Sequence, residues 1–106
     1  MNNFDEIEPR YVISVAARMV GVPTHTLRYY EWIGIIEPSR SRGNIRLYSE
    51  SDIAQLRRVK TLMDDLGVNL AGVEVILRMA QRMSELQHEM EELEAELERL
   101  REVSDL

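Results

Sequence analysis

Between Pro23 and Asp52 the chain reads "PTHTLRYYEWIGIIEPSRSRGNIRLYSESD", and the side chains there that could do chemistry are Arg28, Arg40, Arg42, Arg46, His25 and the rings of Tyr29, Tyr30, Trp32 and Tyr48. No nucleophile paired with a base, metal-ligand cluster or phosphate-cradling glycine loop accompanies them, so an enzyme is disfavoured. Guanidinium groups interleaved with phenols suit another task, the binding of a polyanion, since both donate hydrogen bonds to phosphate oxygens. The chain has no cysteine, which removes disulfides and thiolate metal sites, and His25 and His88 lie too far apart to suggest a ligand pair. No metal and no cofactor is expected.

The 106 residues, 44% of them hydrophobic, allow one modest domain and an appendage, too little for a large enclosed ligand pocket. A net charge of −6 conceals a division by region. Residues 10–60 carry nine Lys plus Arg against four Asp plus Glu, net +5, while residues 61–106 carry four against twelve, net −8. A basic domain joined to an acidic helical tail points to a polyanion-binding face at one end, although an unevenly charged solvated surface has the same composition. The start, "MNNFDEIEPR", is acidic where a signal peptide is basic and apolar, and no run approaches the roughly 18 apolar residues of a membrane span. A soluble, intracellular protein is expected.

The elements that must position the basic stretch can be read from caps and periodicity. Residues 1–9 read as a loose acidic leader. Ser14 stands where it can cap a first helix through "VAARMV", Gly21 ends that helix, and a second runs from Thr24 with Leu27, Tyr30 and Ile33 at helical spacing until Gly34. Gly21 at the turn, small Ala17 where the helices press together, and Ala16, Val20, Val22, Leu27 and Tyr30 at buried positions match a helix-turn-helix. Ordinary helical hairpins also produce such patterns. "SRSRGNIRLYS" follows as a hairpin, since Gly43 and Asn44 tolerate positive φ; Ile45 and Leu47 can pack while Arg46 and Tyr48 reach out, as in a basic wing along a phosphate backbone.

"SESD" opens a third helix with a capping box of Ser49 and Asp52, and Ile53, Leu56, Val59, Leu62, Met63 and Leu66 form its buried stripe. Gly67 closes it and Asn69 caps a fourth helical stretch, whose Gly72 either permits close packing or is simply tolerated. Ile76, Met79, Met83, Leu86, Met90, Leu93, Leu97 and Leu100 then recur at alternating steps of three and four, the a and d positions of a coiled coil. At about 1.5 Å per residue this seam spans roughly 36 Å. A helix so polar elsewhere needs a partner for it, either a second copy or its own domain. Parallel pairing sets Glu89 against Glu94, whereas antiparallel pairing brings Arg82 near Glu96 or Glu89, so antiparallel is favoured, by exposed pairs worth at most about 1 kcal/mol each.

The segments "ISVAARMVGVPTHTLRYYEWIGII" and "NIRLYSESDIAQL", followed by the terminal coil, resemble the MerR family of bacterial transcription regulators over about residues 11–100. "TLRYYE..G" and "R.YS..D" carry the likeness, and "YVISVAA" with "GVNLAGVEVIL" is similar to the heat-shock repressor branch, often called HspR-like. The resemblance implies a mainly α fold: a winged helix-turn-helix DNA-binding domain over residues 10–75 and a long C-terminal coiled-coil dimerisation helix over 76–106. It implies a cytoplasmic, nucleoid-associated homodimer, held by an antiparallel coil, that binds double-stranded DNA at an inverted repeat. Ser14, Thr24, His25, Thr26, Arg28 and Tyr29 would then face the major groove or its phosphates, and Arg40, Arg42, Asn44, Arg46 and Tyr48 would be wing contacts. Tyr30 and Trp32 would pack, and Tyr48 could instead be buried against the third helix. Metal- and redox-sensing members use cysteines near the end of the dimer helix and drug-sensing members append a large effector domain; neither is present here. The heat-shock branch also lacks both and acts mainly by repression, with the chaperone DnaK as co-repressor. The alternatives are an activator that distorts promoter DNA and, in another class, a coiled-coil protein-interaction module.

Overall fold

In the computed structural model, which describes residues 3–105, the chain opens with a short helix, α1 (Asn3–Ile7), and a two-residue strand, β1 (Tyr11–Val12). Met1 and Asn2 of the expected leader, and Leu106, lie outside the described residues. The leader is thus not wholly loose: α1 lies against α4 (Glu50–Lys60), and Arg10 donates to Glu8 at 3.0 Å with Asp5 3.8 Å away. Five residues are too few to leave a periodic pattern, so the sequence does not announce this helix.

Helix α2 (Ile13–Val20) follows β1 without a loop. Its N-cap is Val12, which has no side-chain acceptor, and Ser14 lies inside the first turn, so the cap expected of Ser14 is not made. The C-terminus is the secured end. Gly21 takes φ +85°, and the amides of Gly21 and Val22 both donate to the Ala17 carbonyl, at 2.8 and 3.1 Å. From α4 the Lys60 ammonium donates to the carbonyls of Val20 and Gly21 at 3.3 and 3.4 Å, satisfying acceptors that a helix end leaves open. The left-handed turn at Gly21 suits glycine and delivers the chain into α3 (Thr24–Trp32), whose Leu27 is buried in the core formed with Ala16, Ala17 and Val20.

Strands β2 (Ser39–Arg40) and β3 (Arg46–Tyr48) form the expected antiparallel hairpin, pairing Ser39 with Leu47 and Arg40 with Arg46. At its turn Asn44 adopts positive φ, +62°, and donates to the Ser41 carbonyl at 2.9 Å. On the other side of β3 lies β1, pairing Tyr11 with Tyr48 and Val12 with Leu47, so the sheet order is β1-β3-β2.

Helix α4 begins with the capping box: Ser49 Oγ accepts from the Asp52 amide at 3.1 Å and Asp52 Oδ2 from the Ser49 amide at 2.9 Å. Ile53, Leu56 and Val59 are fully buried, but Leu66, expected to continue the stripe, is 68% exposed. The helix widens into a π-helical turn over Thr61–Asp65, and the wider turn moves Leu66 out of phase with the buried stripe. Asn69 then caps α5 (Leu70–Ser104), its Oδ1 accepting from the Gly72 amide at 2.9 Å. A Cβ at Gly72 would come within 2.7 Å of Val68 Cγ1, so this glycine permits close packing.

The chain divides into two compact units between Val73 and Glu74. The core of the first gathers Ala16, Ala17, Val20, Leu27, Ile36, Tyr48, Ile53 and Leu56. The second is a continuous helix in which no described side chain is buried. No helix among the described residues is long and apolar enough to cross a membrane.

Candidate nucleic-acid interface

Helix α3 has two sides with different work. Leu27 is fully buried and Tyr30 half-buried, its hydroxyl 3.6 Å from Met63 Sδ, so this side holds the helix to the core. His25, Arg28, Tyr29 and Trp32 are exposed at positions i, i+3, i+4 and i+7, the spacing of one helical stripe. Thr24 and Thr26 are half-buried beside it, and Ser14 is exposed on α2. Trp32, expected to pack, is 83% exposed, and its ring lies 6.1 Å from that of Tyr29. The core beneath α3 is filled by Leu27 and Tyr30, and the i+5 offset from Leu27 turns Trp32 outward.

The hairpin departs from its expected facing. Ile45, expected to pack, is 55% exposed, whereas Tyr48, read either as a wing contact or as a ring buried against the third helix, is fully buried in the core. The cause is the partner on each side of β3: β1 pairs along one edge, and the strand face bearing Tyr48 lies over Leu27, Ile53 and Leu56. Tyr48 is therefore corrected from a wing contact to a core residue. Its hydroxyl is buried with no hydrogen-bond partner among the described residues, and burial raises its pKa.

Arg46, on the same face, is not free either. Its Nε donates to both Glu31 oxygens at 2.9 and 3.2 Å, and Nη2 of Arg40, which faces Arg46 across the hairpin, donates to them at 2.9 and 3.0 Å. One carboxylate on α3 thus holds both strands of the wing. The Glu31 side chain is 19% exposed, against 40% for Arg40 and 28% for Arg46, so the cluster is sheltered but open on its arginine side. With two cations and one anion it keeps a net positive charge, and Arg42 and Asn44 are exposed at the hairpin tip. Glu31 is not among the residues expected from the sequence, although an acid inside so basic a stretch is a sign of internal pairing. Arg18 on α2 and Arg57 and Arg58 on α4, also unexpected from the sequence as site residues, are exposed.

Along α5, the heptad positions Ile76, Met79, Met83, Leu86, Met90, Leu93, Leu97 and Leu100 are 37–69% exposed in the single chain. The acids beside them are largely engaged along the same helix, as in the pairs of Arg82 with Glu85 and of His88 with Glu92.

Residues 11–80 match the family model described as MerR HTH family regulatory protein. Over 93 residues the chain is 44% identical to a Streptomyces coelicolor protein carrying the name heat shock protein HspR, covering 88% of this chain and 62% of that one. The chain thus spans less than two thirds of that relative's length. A crystal structure of a MerR family transcriptional regulator from Bacillus cereus superposes with a TM-score of 0.60 at 27% identity, over 88% of this chain and 73% of that one. HiNmlR, a MerR family regulator lacking the sensor domain and bound to promoter DNA, gives 0.61 at 20% identity over 91% and 79%, a likeness of fold.

Proposed function

We propose, for a chain that belongs to the MerR family of helix-turn-helix regulatory proteins, that it is a sequence-specific DNA-binding transcriptional regulator working as a homodimer. The observation that carries this reading is the exposed stripe of His25, Arg28 and Tyr29 on α3, beside a wing whose Arg40, Arg42 and Arg46 keep net positive charge. The stripe suits base edges and the wing suits phosphates. Thr24 and Thr26 flank the stripe, Asn44 lies at the wing tip, and Ser14 lies on α2, where it can reach the backbone.

The dimer forms through α5. Two copies running antiparallel about position 88 bring Ile76 against Leu100, Met79 against Leu97, Met83 against Leu93 and Leu86 against Met90, so that every exposed heptad residue finds an apolar partner. The same register sets Arg82 beside Glu96 of the second copy, twice over, which favours antiparallel pairing modestly. A two-fold dimer reads an inverted repeat.

We propose further that it represses heat-shock or stress genes with DnaK as co-repressor; the 44% identity to a protein named heat shock protein HspR supports the heat-shock part of this reading. Selecting genomic fragments with the purified protein tests the regulator reading. Recovery of fragments sharing an inverted repeat is expected; an unenriched, random set contradicts it. Titrating DnaK into a gel shift with such a fragment is expected to tighten binding, and no change at any chaperone concentration, with or without nucleotide, removes the chaperone from the account.

A further inference from the structure

Trp32 has no role in the proposed regulator, yet it is the most exposed aromatic side chain among the described residues of the head and the only tryptophan of the chain. A tryptophan 83% open to water, with Tyr29 45% open beside it, leaves a sizeable apolar surface uncovered on a small basic domain. The pair lies on the stripe that carries His25 and Arg28. From His25 to Trp32 that stripe runs about 10 Å along the helix, comparable with the roughly 12 Å width of the B-DNA major groove. The neighbouring acid does not bar a polyanion, because the Glu31 carboxylate is held by Arg40 and Arg46.

We infer that Trp32, supported by Tyr29, is a DNA-contacting specificity residue that covers its indole with the C5-methyl of a thymine in the major groove. This rests on the DNA-binding reading. The chemistry separates tasks along the stripe: Arg28 offers donors to a purine edge, and Trp32 offers a flat apolar face to the methyl group that distinguishes thymine there. Among the described residues, Trp32 belongs neither to the core cluster nor to the side chains packed against it, so changing it should leave the head intact.

The chain reports on its own proposal, since all indole emission comes from Trp32. The experiment tracks a labelled duplex of a selected genomic fragment by anisotropy and, in the same titration, indole emission and its quenching by acrylamide. Binding accompanied by changed emission and reduced acrylamide access is expected. The Trp32→Ala variant should bind about fivefold or more weakly, with Trp32→Phe recovering part of the loss, in the range of aromatic contacts to nucleic acid. Replacing thymine by deoxyuridine in the duplex should weaken the wild type and leave Trp32→Ala unaffected. Binding without any change at the indole overturns the Trp32 contact while leaving the regulator reading intact. A deoxyuridine effect equal in both proteins overturns the methyl assignment. A duplex that is not bound at all removes the parent reading and this inference together.

Discussion

In the head, Leu27, Ile53, Leu56 and Val59 are wholly buried; along the arm from Glu74 onward, Ile76, Met83, Leu93 and Leu100 all lie open to water. The head also closes its own polar groups across long stretches of sequence, with Lys60 on the α2 carbonyls and Gln55 donating to the Ile35 carbonyl at 2.8 Å. Among the described residues, the arm's polar pairs run along its own helix, three, four or seven residues apart. A region that buries its apolar side chains within one chain is complete as a monomer. A helix that shows a regular apolar seam on an acidic surface leaves that burial unused, and in the proposed dimer a second copy supplies it.

The largest expected effect breaks the arm and spares the head. Leu93→Asp removes burial worth about 1.5–3 kcal/mol per copy and places a charge in the seam. Sedimentation should show monomers that bind a selected operator far more weakly, while the head keeps its fold. A variant that stays dimeric shows that the seam is not the interface.

Next comes a change that spares both folds and touches the reading surface. Arg28→Ala, if Arg28 meets a guanine edge, should cost about 1–3 kcal/mol on the operator and relax preference at one base pair. Equal losses on operator and random duplexes make Arg28 a phosphate contact instead.

A smaller effect sharpens the view of the head as internally closed. Glu31→Ala leaves Arg40 and Arg46 without their shared acceptor and frees the wing from α3, so chemical denaturation should show a loss of about 1–2 kcal/mol. Glu31→Gln, which keeps one acceptor oxygen, should lose less. Unchanged stability in both variants means that the cluster contributes nothing to the fold.

Smallest of all is Tyr48→Phe. Because the hydroxyl is buried and unpartnered, its removal should leave operator affinity unchanged and alter stability by at most about 1 kcal/mol, in the stabilising direction. Weaker DNA binding by this variant would restore Tyr48 to the wing contacts.

How much the sequence discloses depends on the range of the interactions. The turn at Gly21, the Ser49 and Asp52 capping box and the Asn69 cap depend on neighbours a few residues away, and each is legible from spacing. The features that escape depend on distant partners. Strand β1 exists because Tyr11 and Val12 meet Tyr48 and Leu47, and it helps decide which face of the hairpin turns inward. Alternation reveals that β3 has two faces, but not that Tyr48 is inside and Ile45 outside. Glu31 finds its arginines nine and fifteen residues on, beyond any helical spacing. Trp32 escapes for another reason: aromatic rings in small domains generally pack, and its exposure depends on the core already being filled by Leu27 and Tyr30.

The central claim is that the basic head lies on a phosphate backbone while the acidic arm stays off it, and the salt dependence of operator affinity tests this most directly. With about 6–10 phosphate contacts, affinity should fall roughly 10³- to 10⁵-fold between 50 and 200 mM salt. An affinity that scarcely changes over that range would contradict the account.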